Sequence, residues 1–227
     1  MWDSIVKIVT PDNVAFMLKS AGMSLLIATG ALLVGTILGI LGAMCKISRS
    51  KVLHVLANIY VELIRGTPMM LQILFFFLGV PTLWRLITGN AFSPNPYLIG
   101  WIAISINSGA YSTELIRSGI QSIDRGQWEA GKALGMPYGQ ILKKIILPQS
   151  FKRIVPPLVS EFIVLIKDSS LISNIGAIEL LKSAQILGAR YYNYLIPLCC
   201  AGIVYLVMTV TISFFAKRLE RRLAASD

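Results

Sequence analysis

The sequence predicts an all-α integral membrane protein with about five transmembrane helices. Apolar residues make up 55% of the 227 residues and charged residues only 14%, whereas soluble domains carry about 25% charged residues. Long uncharged runs separate the few charges, and a helix crosses a bilayer with about 20 mostly apolar residues. The basic residues, which give a formal net charge of +10, gather in three of the connecting segments. Together these observations exclude a soluble domain and a disordered chain.

The uncharged runs locate the predicted spans. The first run, between Lys19 and Lys46, has 26 residues without charge and contains Gly35-x-x-x-Gly39, a pattern that lets membrane helices approach closely. The fourth run is also apolar but carries three charged residues. We therefore expect a single transmembrane domain, 1–227, with spans at about 20–45, 55–81, 95–116, 154–174 and 193–216.

The positive charges predict the orientation of these spans. Segments 46–51, 117–153 and 217–222 lie on one side and hold 14 Lys and Arg residues, against 5 on the other side. Because loops rich in Lys and Arg stay in the cytoplasm, we expect the N-terminus outside and the C-terminus in the cytoplasm. The charge thus indicates a multi-pass membrane protein, whose partner is the lipid bilayer and not a nucleic acid.

Residues 117–153 are too long for a simple connection and have a helical pattern. Ser122 or Asp124 is suited to begin a helix, and Gly135 is suited to end it. A short amphipathic run follows and ends at Pro148. The sequence therefore predicts a folded cytoplasmic element between the third and fourth spans.

The usual signatures of catalysis and metal binding are missing from the sequence. His54 is the only histidine, and the three cysteines form no C-x-x-C pair. Residues 126–132 match the first seven positions of a phosphate-binding loop, but Ala133 stands where that loop needs a hydroxyl. We expect no catalytic residue, no metal site and no cofactor in this chain.

Charged residues inside the spans predict where the function lies, since each costs about 2.5–3.5 kcal/mol to insert. Glu62 and Arg65 are three residues apart, so they share a helix face and are predicted to form an ion pair. Gly66-Thr67-Pro68 then interrupts the helical hydrogen bonds, and Gln72 follows one turn later. This group is either a packing ion pair near the interface or part of a polar cavity.

A second polar group is predicted deeper in the membrane. Lys167 and Asp168 lie about 13 residues into the fourth span, or about 20 Å, and Glu161 precedes them. The third span adds Asn107 and Tyr111. These residues predict a polar path between three helices, in which paired acidic and basic groups suit a zwitterionic solute. An internal ion-pair network without a transport role is the alternative.

The 117–153 segment also carries a recognisable motif. Glu129-Ala130-Gly131, then Gly135, then Ile145-x-Leu147-Pro148 resembles the EAA motif of ABC importer permeases, with Gly131 in place of the second Ala. Stretches 62–72, 109–136 and 161–171 resemble the polar amino acid permeases of the histidine/glutamine/arginine group, over most of residues 15–217. Ser160 stands where that group usually has Asn, so it is a candidate for the substrate path and leaves the amino acid open.

The resemblance implies an ATP-driven importer of polar amino acids. Two permease subunits, either copies of this chain or this chain with a similar one, would form the path. A dimer of cytoplasmic ABC ATPase subunits would bind ATP and Mg²⁺, and an extracytoplasmic amino acid-binding protein would deliver the substrate. The 117–153 segment would form a coupling helix that docks on the ATPase through Glu129, Ala130, Gly131, Ala133, Leu134 and Gly135.

Two other classes of function are alternatives to an importer permease. An intramembrane enzyme such as a protease needs a Ser–His dyad or a pair of Asp residues at one depth. Only Asp168 lies deep, and His54 lies at an interface. A self-sufficient secondary carrier usually has more spans and inverted repeats.

Overall fold

The computed structural model describes residues 2–224, and within them every regular element is a helix. Two π-helical turns, Phe75–Gly79 and Leu142–Ile146, and a 3-10 helix, Ser169–Ile175, continue or join the α-helices. The α-helices are α1 (Trp2–Ile8), α2 (Pro11–Ile47), α3 (Lys51–Arg65), α4 (Met69–Leu74), α5 (Val80–Thr88), α6 (Pro96–Gln121), α7 (Arg125–Ala133), α8 (Tyr138–Ile141), α9 (Leu147–Asp168), α10 (Leu180–Tyr191) and α11 (Leu195–Ala224).

Three helical segments of the described chain are long and apolar enough to cross a membrane. They are Pro11–Ile47, Met69–Thr88 and Leu195–Arg222. Helices α6 and α9 are long as well, but α6 has a row of buried Asn, Ser and Thr residues and α9 ends in charged ones. The prediction of an all-helical membrane protein is confirmed in this coarser form, and the count of five spans stays a prediction.

The predicted span at 55–81 is wrong as a single helix. Helix α3 ends at Arg65 and α4 begins at Met69, so the apolar helix runs from Met69 to Thr88. Pro68 has no N–H to continue the helical ladder, and the Thr67 hydroxyl donates to the Leu63 carbonyl at 2.9 Å. The interruption predicted at Gly66-Thr67-Pro68 is therefore confirmed, whereas the span bounds, which were estimated from uncharged length alone, joined two separate helices.

Pro148 does not end the amphipathic run that precedes it, contrary to the sequence prediction. The chain stays helical through the π turn into α9, where the Leu147 N–H donates to the Leu142 carbonyl five residues back. This wider turn accommodates a proline, which cannot donate to the carbonyl four residues before it. Helix α9 therefore begins at Leu147, seven residues before the predicted span, and the chain turns 3-10 helical after Asp168.

The centre of the bundle is the contact between α2 and α6. A Cβ added to Gly35 would lie 2.6 Å from Ser108 Oγ, and one added to Gly39 would lie 2.4 Å from Ser112 Cβ. Small residues thus let the two backbones meet, as the glycine pattern indicated. Around this contact a buried apolar core joins α2, α4, α6 and α9 through residues that include Ile27, Ile73, Ile104 and Leu165.

One end of the bundle, which we call the basic end, collects the last turn of α2, the first turn of α3, the last turns of α6 and residues 117–153. There the His54 Nδ1 atom lies 2.8 Å from the Lys46 carbonyl oxygen, which ties α3 to α2. The Arg153 Nη1 group donates to the Ser122 carbonyl at 2.5 Å, which ties α9 to the end of α6.

Candidate functional site

Residues 122–146, which connect α6 to α9 and which we call the α7–α8 unit, form a folded element with well-defined helix ends. The Asp124 carboxylate accepts the Gly126 N–H at 2.6 Å and caps α7. At the other end Gly135 has φ +71° and donates to the Lys132 carbonyl at 2.9 Å, while the Met136 N–H reaches the Gly131 carbonyl at 3.1 Å. This pair of bonds closes α7 with a left-handed glycine, the usual end of a helix.

The α7–α8 unit has a small apolar core of its own. Ile123, Ile141 and Ile146 are buried together in it, and the Trp128 and Tyr138 rings stack with their centroids 5.2 Å apart. A Cβ on Gly131 would lie 2.9 Å from Ile141 Cγ1. Glycine in place of the usual alanine of the motif therefore makes room for Ile141.

The motif residues of α7 form the outer surface of this unit. Glu129, Ala130, Ala133 and Gly135 are exposed, and Leu134 is 78% exposed although it is apolar. Gly131 is buried and packs inward. Five of the six predicted coupling residues thus face outward. The sixth, Gly131, packs against the core of the unit and so fixes the orientation of α7.

Gln72 and Asn107, both predicted to line the substrate path, meet in the interior. The Asn107 Nδ2 group donates to Gln72 Oε1 at 3.0 Å, and both side chains are only 7% exposed. Gln72 Nε2 in turn donates to the Ile64 carbonyl at 2.7 Å and to Thr67 Oγ1 at 2.9 Å. The Gln72 amide therefore binds the Ile64 carbonyl and the Thr67 hydroxyl at the break between α3 and α4. Its hydrogen bond with Asn107 joins this break to α6.

The ion pair predicted between Glu62 and Arg65 is not formed, since no bridge joins the two side chains within residues 2–224. Arg65 lies over the ring of Tyr111 on α6, 5.1 Å from the ring centroid. Arg65 is the last residue of α3, and its long side chain reaches an aromatic face on the next helix. All three side chains are exposed.

The remaining path candidates lie on α9. Glu161 is half-buried near the Ser108 hydroxyl, which is itself fully buried and has no hydrogen-bond partner among the described residues. Ser160 and Lys167 are exposed, and Asp168 is half-buried. The predicted residues thus fall into an inner pair, Gln72 with Asn107, and an outer polar surface from α3, α6 and α9.

Two polar clusters were missed by the sequence reasoning, and the first surrounds Glu179. This carboxylate is fully buried and caps α10 by accepting the N–H groups of Leu181 and Lys182 at 2.9 and 2.7 Å. The Tyr205 hydroxyl donates to it at 2.8 Å and the Ser24 hydroxyl at 3.4 Å. An acidic residue just before a helical run was a signal for this cap, but its partners on α2 and α11 were not visible.

Replacement of Glu179 by Leu is expected to lower the melting temperature of the purified protein by several degrees. The change leaves the Tyr205 hydroxyl and two backbone N–H groups, all partly buried, without an acceptor. A fully buried unpaired group costs about 1–3 kcal/mol, which is the upper bound for each of these. Glu179→Gln is the matched control, because its amide oxygen still accepts and it should lose less. Equal melting of Glu179→Leu and the wild type in detergent would show that the cluster is dispensable.

The second missed cluster lies at the basic end, between α2 and α6. Lys46 on α2 forms an ion pair with one carboxylate oxygen of Glu114 on α6, and Arg117 Nη2 binds the other at 2.7 Å. The Lys46 side chain is only 9% exposed and the Glu114 side chain 17%. Glu114 and Arg117 share a helix face in the sequence, but nothing local indicates that Lys46 completes the group.

The sequence of this chain matches a known protein family over most of its length. The family model described as binding-protein-dependent transport system inner membrane component matches residues 14–225. The chain belongs to this family. Among family relatives, the arginine transport system permease protein ArtQ of Bacillus subtilis (strain 168) is 38% identical over 96% of this chain and 97% of that protein. The glutamine transport system permease protein GlnP of Escherichia coli (strain K12) is 32% identical over 92% and 94%.

Solved structures agree with membership of the inner membrane component family. A crystal structure of an amino acid ABC transporter with histidines has a TM-score of 0.86 and 35% identity, over 92% of this chain and 94% of that one. The inward-facing MetNI methionine ABC transporter has a TM-score of 0.77 at 17% identity, over 95% and 99%, and supports the fold alone. The resemblance to amino acid ABC permeases is therefore confirmed, and it supports a permease of the plasma membrane over an intramembrane protease or a self-sufficient carrier.

Proposed function

We propose that the chain is the permease subunit of an ATP-driven ABC importer for polar amino acids. The observation that carries the proposal is the α7–α8 unit, a rigid element that presents the EAA-like residues outward at the basic end. A helix presented in this way suits docking in a groove of a partner and transmits rigid-body motion. The arginine and glutamine permeases among the relatives support the substrate class.

The orientation and the ATPase partner follow from the same surface. Arg125, Lys132, Lys143 and Lys144 are exposed on the α7–α8 unit, and the positive-inside rule assigns such a surface to the cytoplasm. The N-terminus then lies outside, where an amino acid-binding protein delivers the substrate. A dimer of ATPase subunits binds ATP and Mg²⁺ and docks on Glu129, Ala130, Ala133, Leu134 and Gly135.

A second permease subunit, either another copy or a similar chain, covers the outer polar surface. Glu62, Arg65, Tyr111, Ser160 and Lys167 are exposed on helices of the predicted spans. A charged side chain that faces lipid costs about 2.5–3.5 kcal/mol on insertion scales. A facing subunit therefore encloses this surface around a wet path.

The half-buried carboxylate is the best candidate for the substrate ammonium group. Glu161 lies near the unpartnered Ser108 hydroxyl, and Lys167 stands six residues further along α9. A zwitterionic amino acid offers an ammonium group to the carboxylate and a carboxylate to the lysine. Gln72 and Asn107 lie deeper in the protein than Glu161. They support the path from behind, since they bind each other and the backbone at the break between α3 and α4.

Reconstituted transport tests the proposed function. The chain is co-expressed with its ATPase, purified, and placed in proteoliposomes with the binding protein and labelled arginine or glutamine. Glu161→Ala is expected to lower ATP-driven uptake by at least about tenfold, the equivalent of one hydrogen bond to a charged group. Glu220→Ala, which removes an exposed carboxylate from the end of α11, is the control and should transport normally.

Two outcomes would count against the proposal at different levels. A wild-type chain that purifies without any ATPase and takes up no labelled amino acid would overturn the importer assignment. Normal uptake by Glu161→Ala would leave the importer standing and remove Glu161 from the path.

A further inference from the structure

The Lys46–Glu114–Arg117 cluster is poorly explained as a source of stability. Lys46 and Glu114 are largely withdrawn from solvent, with side chains 9% and 17% exposed. Taking two charges out of water costs several kcal/mol each, and apolar replacements of buried ion pairs are often as stable or more stable. The ion pair therefore indicates that these residues fix the position of the helices they join and contribute little to the free energy of folding.

The cluster lies where motion of the α7–α8 unit enters the helix bundle. Ile123 and the neighbouring Ile120 pack into the apolar core of that unit, so the end of α6 is continuous with it. Glu114 lies less than two turns before Ile120 on the same helix. A displacement of the unit consequently moves Glu114 directly.

From Glu114 the polar contacts lead to the other helices at the basic end. Lys46 stands in the last turn of α2, and its carbonyl oxygen lies 2.8 Å from the His54 ring nitrogen on α3. Helix α3 packs on α2 and α6 and carries Glu62 and Arg65 at its far end, next to the break. A continuous chain of contacts thus runs from the unit through Lys46 to the helix that bears part of the polar surface.

We propose that Lys46, Glu114 and Arg117 are positioning residues that couple the end of α2, and through it α3, to movements of the α7–α8 unit. The proposal rests on the proposed importer function. The ion pair holds a defined geometry because Glu114 is bound from two sides, by Lys46 on one oxygen and Arg117 on the other. Apolar contact fills the same space but allows the α2 end to shift on α6, since it has no directional bonds.

The decisive variant replaces the half-buried Lys46–Glu114 pair by apolar residues of similar volume, Lys46→Met with Glu114→Leu. It is expected to purify and melt like the wild type, while the amount of amino acid taken up per ATP hydrolysed falls about fivefold or more. Lys46→Arg keeps the charge and should retain the wild-type ratio. Lys51→Gln, which removes an exposed cation at the start of α3, controls for the loss of a cation at the basic end.

A milder variant tests the same idea without changing the half-buried Lys46–Glu114 pair. Arg117 is 31% exposed, so Arg117→Gln removes one partner of Glu114 while Lys46 still neutralises it. We expect a smaller fall in uptake per ATP with unchanged yield. Both readouts use proteoliposomes with ATPase, binding protein and labelled arginine or glutamine.

The outcomes separate this proposal from the importer assignment. Wild-type protein without ATP-driven uptake would refute the proposed function, and the coupling role that rests on it would fall with it. Wild-type uptake per ATP in the double apolar variant and in Arg117→Gln would overturn the positioning role. A double variant that fails to fold would overturn it too, since the pair would then serve stability.

Discussion

Gly39→Leu is expected to abolish the accumulation of folded protein in the membrane. A Cβ at position 39 would lie 2.4 Å from Ser112 Cβ and 2.9 Å from the Ser112 backbone carbon. The obstacle includes backbone, which cannot rotate away, so α2 and α6 would have to separate. These two helices share the most extensive contact of any pair in residues 2–224, and overpacking alone costs about 1–3 kcal/mol.

The matched control for this change lies on the same helix. Nothing lies within 4 Å of a Cβ added to Gly22, and this residue is exposed. Gly22→Leu adds the same side chain to α2 and should accumulate normally. Size-exclusion profiles of the detergent-solubilised, fluorescently tagged variants provide the measurement. A monodisperse Gly39→Leu peak of wild-type height would contradict the close α2–α6 contact.

Gly135→Val is expected to separate ATP hydrolysis from transport while the protein still folds. Gly135 has φ +71°, and a left-handed conformation costs a residue with a side chain about 1–2 kcal/mol. A β-branched residue relieves this strain by changing the turn that ends α7, which reorients Leu134 and the other outward motif residues. No heavy atom lies within 4 Å of an added Cβ, so the core of the unit should stay intact.

The readout for Gly135 is again uptake per ATP hydrolysed in proteoliposomes. We expect a fall of about tenfold, which corresponds to about 1.4 kcal/mol of lost coupling. Gly135→Asn is the control, because asparagine tolerates the left-handed conformation and should keep most of the coupling. If valine and asparagine behaved alike, the turn geometry would not be the cause. Wild-type coupling in Gly135→Val would remove the α7 end from the docking surface.

The elements that could be predicted from the sequence depend on near neighbours. Asp124 and Gly135 bound α7 because capping and left-handed turns involve residues only a few positions away. The long apolar helix Pro11–Ile47 was visible in the same way, since hydropathy is a sum over one segment. Pro68 breaks the helix as the local sequence predicted, whereas Pro148 shows where local prediction fails, because a π turn accommodates it.

The candidate site was predictable as a set of residues but not as a set of contacts. The three-residue spacing predicted an ion pair between Glu62 and Arg65, but Arg65 lies over the Tyr111 ring on α6 instead. Gln72 and Asn107 were correctly seen as polar residues on neighbouring spans, but their hydrogen bond turns them toward the helix break.

The sequence by itself determined the membrane class, the folded segment between α6 and α9 and the permease resemblance. Composition, charge distribution and a contiguous motif carry that information within short stretches of chain. Only the tertiary structure decided which polar groups are buried and what binds them. Lys46 and Glu114 are 68 residues apart, and Ser24 and Glu179 are 155 apart. Electrostatic and hydrogen-bonding partners depend on distance in space, which helix packing sets and local sequence does not.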